Sequence, residues 1–103
     1  MLLFKRFFQA DILSGRKTQT RRFHKNIRKV GSIQECRSEF IGPCFCKVLI
    51  TRVFQQRLCD ISEVDARKEG FADKAAFLNF CNLDFKRLGS GGVVTVYEFR
   101  VCI

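Results

Sequence analysis

Two hydroxyls and a lysine lie together in one short basic segment, Gly15-Arg16-Lys17-Thr18-Gln19-Thr20-Arg21-Arg22. A hydroxyl becomes a nucleophile when a neighbouring base takes its proton, and a lysine can be that base only when it is neutral. An unperturbed lysine, with a pKa of about 10.4, is neutral about once in 2,500 molecules at pH 7. Burial or crowding by cations raises that fraction, and Arg16, Arg21 and Arg22 supply crowding. The segment therefore has the parts to begin acyl transfer, in which a hydroxyl attacks a carbonyl, a base and an acid move protons, and a donor steadies the oxyanion. The plainer reading is that Thr18 and Thr20 are ordinary strand threonines and Lys17 complements the charge of a helix C-terminus.

The elements that must position these residues follow from periodicity. Phe4, Phe7, Phe8 and Ile12 recur at three- and four-residue steps, so Met1 to Ser14 reads as a short amphipathic helix stopped by Gly15. Thr18 to Phe23 reads as extended. In an extended chain residues three apart point to opposite faces, so Lys17 and Thr20 share a site only if Lys17 belongs to the preceding turn. Ser32 to Cys36 is a weak strand, and Gly42-Pro43 a turn. Phe45 to Phe54 is too apolar on both faces for an exposed edge and is expected inside a sheet.

Ser62 is placed as an N-cap with Asp65 three residues on, and Gly70 closes that helix. Glu69 then falls at the helix C-terminus, where unpaired carbonyls disfavour an ionised carboxylate; the plainer reading makes it a solvated helix residue. A second helix is expected over Asp73 to Phe85, with Phe77, Phe80 and Cys81 inward. Gly89-Ser90-Gly91-Gly92 turns into a last strand with Val93, Thr95, Tyr97, Phe99 and Val101 on one face. This order gives an α+β class, a small curved barrel or mixed sheet flanked by two or three short helices, in a single domain over residues 1–103.

The net charge of +9 is uneven: no acidic residue occurs from Ile12 through Gln34, a window holding Arg16, Lys17, Arg21, Arg22, Lys25, Arg28 and Lys29. Such a field attracts phosphates, nucleotides or RNA, or is simply a solvated basic face. The six cysteines lack a Cys-x-x-Cys pair and His24 is the sole histidine, so zinc is disfavoured and no metal or cofactor is expected. A Cys/His nucleophile pair has no local support. Gly89 to Gly92 precedes a strand rather than a helix and is not a phosphate loop. The twelve phenylalanines are scattered at core spacing, against an RNA-recognition motif or OB reading. Charge interrupts the N-terminal apolar run early and no stretch reaches membrane-spanning length, so a soluble, cytoplasmic protein with reduced cysteines is expected.

The segment Gly15-Arg16-Lys17-Thr18-x-Thr20-x-Arg22 resembles the signature of ASCH domains, which are PUA-like barrels. Phe4-x-Arg6-Phe7, Asp11-Ile12-Leu13, Phe45-Cys46, the acid of Ala66-Arg67-Lys68-Glu69 and Tyr97-Glu98-Phe99 extend the likeness to the small N(4)-acetylcytidine amidohydrolases. Thr20 stands where generic ASCH domains tend to carry glutamate, which moves the resemblance from a binding module toward that subgroup. The resemblance implies Thr20 as nucleophile, Lys17 as proton acceptor and Glu69 as proton donor, with Arg6, Arg16 and Arg22 binding substrate. It implies a metal-independent hydrolase converting N(4)-acetylcytidine to cytidine and acetate. The basic stretch Phe23 to Val30 favours the alternative, a non-catalytic PUA-like RNA-binding module contacting RNA through residues 16–29. A nuclease is the weaker third reading.

Overall fold

The computed structural model describes residues 1–23, 26–84 and 92–102. The expectations for His24, Lys25, the end of the second helix at Phe85 and the turn at Gly89 to Gly91 lie outside them. The chain runs β1 (Leu2–Leu3), a 3-10 turn (Arg6–Phe8), α1 (Gln9–Leu13), β2 (Gln19–Arg22), β3 (Ile33–Arg37) and β4 (Cys46–Arg57). A second 3-10 turn (Leu58–Asp60), α2 (Glu63–Lys68), α3 (Lys74–Asp84) and β5 (Val93–Val101) follow. The strands form one mixed half-barrel sheet in the order β1-β3-β4-β5-β2, flanked by the three helices. This is the expected α+β architecture.

β4 occupies the middle of the sheet, as its apolar composition on both faces requires. It pairs antiparallel with β3 and along nearly its whole length with β5, where a bulge between Ile50 and Arg52 shifts the register. Such a bulge bends the strand and adds twist, which curves the sheet. β2 closes the far edge against β5, with Thr20 opposite Tyr97.

The continuous helix expected over Met1 to Ser14 is not formed. Leu2 and Leu3 pair in parallel with Cys36 and Arg37, and Phe4 N–H donates to the Arg37 carbonyl. Sheet pairing at the first residues outcompetes the local helical period, a tertiary override of a weak intrinsic preference. Only Gln9–Leu13 is α-helical, although Phe4, Phe8 and Ile12 all end up buried.

Two apolar clusters result. One gathers Phe4, Phe8, Ile12, Val48, Ile50 and Phe99; the other packs Leu58, Ile61, Ala66, Phe77 and Val94 beneath α2 and α3. Phe71 and Phe80 touch both. Phe7, Phe23 and Phe40 depart from the expectation of core phenylalanines and are exposed. Of the cysteines, Cys36, Cys46 and Cys81 are buried, and Cys102 is exposed.

Candidate active site

Glycine at position 15 adopts φ +81°, the left-handed conformation that ends a helix without a Cβ penalty. The reversal lets Lys17 N–H donate to the Asp11 carbonyl, while Thr18 N–H donates to Lys68 O at the end of α2. Lys17 therefore belongs to the turn before β2, meeting the condition for sharing a site with Thr20. On the other side, the Ser62 side chain accepts from Asp65 N–H and starts α2, which ends at Glu69. Gly70 follows at φ +100°, packed against Phe8 and Asp11.

These two turns bring Lys17 and Glu69 together from 52 residues apart. Lys17 Nζ donates to Glu69 Oε1 at 2.9 Å and to its backbone carbonyl at 2.6 Å. The ammonium lies 4.3 Å from the centroid of the Phe8 ring, and the lysine is only 2% exposed. Burial holds Lys17 below the ordinary lysine range; Glu69 pulls it upward, and Arg22 and Arg21 push it down. Desolvation is thus the main cause, with cation crowding secondary.

Thr20 is buried on β2, and its Oγ1 accepts a hydrogen bond from Arg22 Nε at 3.0 Å. It makes no direct hydrogen bond to Lys17. Both residues line a cavity of about 330 Å³ together with Glu69, Arg21 and Arg22, walled by Phe4, Phe8, Phe77 and Phe80. The volume is at the small end of the range for ligand pockets, and the make-up, apolar walls with a few convergent polar groups, is typical of them. The Arg22 guanidinium sits 4.6 Å from the Phe4 ring, and burial lowers its pKa from the usual range.

Glu69 has a cation on each oxygen. Arg21 NH1 donates to Oε2 at 2.9 Å, opposite the Lys17 bond to Oε1. The repulsion expected at a helix C-terminus is therefore met by two cations that the Glu69 sequence context does not reveal. Gln19 joins the same network, donating to Asp65 Oδ1 at 3.3 Å and Glu98 Oε2 at 3.1 Å. Gln19 was not singled out in the sequence, and Arg21, read there only as crowding Lys17, bonds Glu69 directly. The signal was available: Gln-Thr-Arg-Arg has no apolar face, so if such a strand is buried, its side chains must be satisfied by a polar network.

Arg6 and Arg16 are not brought to this cavity. Arg6 is exposed and pairs with Glu39 at 2.8 Å, outside the residues that line the cavity. Arg16 lies on the far side of the Lys17 turn, beside Arg67 and Lys68 around a separate depression floored by Val64 and Phe71. Among the described residues no group of three or more His, Cys, Asp or Glu side chains is placed to hold a metal ion, and no helix is long and apolar enough to cross a membrane.

Solved structures share this fold at low sequence identity. An ASCH domain from Lactobacillus crispatus JV V101 is 22% identical with a TM-score of 0.72, over 92% of this chain and 70% of that one. The fold is that of an ASCH domain. A point mutant of an ASCH protein from Zymomonas mobilis (12% identity, TM-score 0.68) covers 96% of this chain and 66% of its own. A protein from Enterococcus faecalis V583 (17%, TM-score 0.73) covers 92% and 66%. The chain thus spans about two thirds of the length of these ASCH-like structures. No family model and no curated protein matches it in sequence. The cavity lies between the edge strand β2 and the helices, with Lys17, Thr20 and Glu69 on its polar side.

Proposed function

We propose that this ASCH domain is a metal-independent amidohydrolase that removes the acetyl group from N(4)-acetylcytidine or a related N4-acylated cytosine nucleoside. The observation that carries the reading is the meeting of Lys17, Thr20 and Glu69 at one aromatic-walled cavity, with the lysine desolvated. A planar base suits walls of phenylalanine, which favour stacked and edge contacts.

In this reading the Lys17–Glu69 pair shares one transferable proton. When it resides on Glu69, Lys17 is a neutral amine; with one N–H kept on the Glu69 backbone carbonyl, rotation about Cε–Nζ turns its lone pair from Oε1 toward the Thr20 proton. Thr20 Oγ attacks the acetyl carbonyl, Lys17 takes the hydroxyl proton, and Arg22, already on Oγ1, steadies the negative charge. The amide C–N bond breaks, Glu69 gives its proton to the departing N4 amine, and cytidine leaves. Water then attacks the acetyl-threonine ester, Glu69 taking a proton from the water and Lys17 returning one to Thr20 Oγ as the ester bond breaks, so that acetic acid leaves, ionising to acetate, and the amine–acid pair is restored. The sum is one water consumed per amide bond cleaved. Incubating the protein with N(4)-acetylcytidine and measuring cytidine formation tests the reading, and activity that survives both Thr20→Ala and Lys17→Ala would refute the mechanism.

A second reading, a non-catalytic RNA-binding module, is favoured by one observation. Arg16, Arg67 and Lys68 surround a depression with no acidic side chain lining it. Phosphate contacts there would give binding that weakens steeply with salt; negligible affinity for RNA at low salt removes it.

A further inference from the structure

Arg21 is 1% exposed in its side chain, yet it stands at the cavity that the proposed reaction uses. Its N–H groups are directed at protein: NH1 to Glu69 Oε2 and Gln19 Oε1, each at 2.9 Å, and Nε and NH2 to Gln56 Oε1 at 3.2 and 2.9 Å. NH2 also lies 3.7 Å from Asp65 Oδ2. A guanidinium has five N–H donors; four of them are hydrogen-bonded to protein and NH2 also faces the Asp65 carboxylate, so Arg21 is committed to the protein rather than to a substrate. Gln19 is itself fixed by donating to Asp65 and Glu98, which keeps its oxygen toward Arg21.

The consequence falls on Glu69. With Oε2 held by Arg21, the carboxylate cannot rotate, and Oε1 stays on Lys17. The fixed positive charge of Arg21 also disfavours the ammonium form of Lys17. We propose that Arg21 is a positioning residue that locks the Glu69 carboxylate against Lys17 and holds its own charge beside that lysine. The proposal rests on the amidohydrolase reading for its kinetic consequence but not for its electrostatic one. The other charged or titratable groups around the pair are Arg22 on β2, Lys5 before the first 3-10 turn, Asp11 on α1, Asp65 on α2, Cys81 on α3 and Glu98 behind Gln19 on β5. All are unchanged when Arg21 alone is replaced.

The test compares wild type with Arg21→Met and Arg21→Lys. Arg21→Gln, able to hydrogen-bond Gln19 and Gln56, serves as the neutral variant if Arg21→Met does not fold by circular dichroism. The side-chain nitrogen of Lys17, one of eight lysines, is titrated by NMR and assigned by its loss in Lys17→Arg. Removing the Arg21 charge, the smaller of the two arginine effects on Lys17, should raise the Lys17 midpoint. Arg21→Lys should return the midpoint toward wild type. In the deacetylation assay the limb of the kcat profile set by Lys17 should move up in the neutral variant. In Arg21→Lys that limb should return while kcat stays at least tenfold reduced and KM changes little, because the charge is restored but the fork is not. An unmoved Lys17 midpoint in a folded neutral variant overturns the proposal, as does full recovery of kcat in Arg21→Lys. If no protein deacetylates the nucleoside, the amidohydrolase reading fails, and the NMR midpoint alone decides whether Arg21 governs the pair.

Discussion

Removing the Glu69 carboxylate should leave two buried cations short of a partner, and the structure says which suffers more. Arg21 keeps Gln19, Gln56 and Asp65. Lys17 keeps one hydrogen bond, to the backbone carbonyl of residue 69, and the faces of the Phe8 and Phe4 rings. Breaking a buried pair by deleting one partner costs about 3–5 kcal/mol, whereas replacing both partners by apolar groups is often close to neutral. Glu69→Ala should therefore lose about 3–5 kcal/mol, a large share of the roughly 5–15 kcal/mol that holds a domain folded. Adding Lys17→Met should win back about half of that loss by removing the orphaned cation. Urea unfolding at pH 7 of the wild type, both single variants and the double variant gives the coupling energy directly. A Glu69→Ala loss below about 1 kcal/mol, or strictly additive single effects, would refute the claim that the pair is a buried, mutually dependent unit.

Further outcomes follow from the same geometry. Burial depresses Lys17 in the folded state, so from that lowered value up to the unfolded value of about 10.4 the unfolded chain binds more protons, and stability from this group rises with pH. Thermal midpoints from pH 6 to 10 should accordingly climb in the wild type relative to Lys17→Met; parallel curves would contradict this. Gly15→Ala meets no atom within 4 Å but must adopt φ +81°, so it should cost about 1–2 kcal/mol by urea unfolding through backbone strain alone. Arg6→Ala breaks only an exposed pair with Glu39 and should change stability by less than about 1 kcal/mol. Its deacetylation rate should stay within about twofold of wild type, and a tenfold loss would return Arg6 to substrate binding.

Where local chemistry decides the structure, the sequence was readable. Ser62 caps α2 as its hydroxyl and the following acids imply, β4 lies centrally because both its faces are apolar, and Gly15 puts Lys17 into a turn facing the Thr20 cavity. Long-range pairing decided the rest. Leu2 and Leu3 leave the helical pattern because β3 offers them a ladder. Arg21 looked like one more charge in a basic run, since its partners Gln56 and Glu69 are 35 and 48 residues away. Arg6 and Arg16 carry the right charge for a substrate but point elsewhere, a matter of turn geometry that composition does not encode.

The most direct test of the central claim is the rate of cytidine formation from N(4)-acetylcytidine by the purified protein in the presence of a metal chelator, alongside Thr20→Ala and Lys17→Ala. The account predicts turnover by the wild type and loss of at least about a hundredfold in each variant, the scale on which a positioned acid–base or nucleophilic group contributes. Absence of turnover by the wild type, or undiminished turnover by both variants, would contradict it.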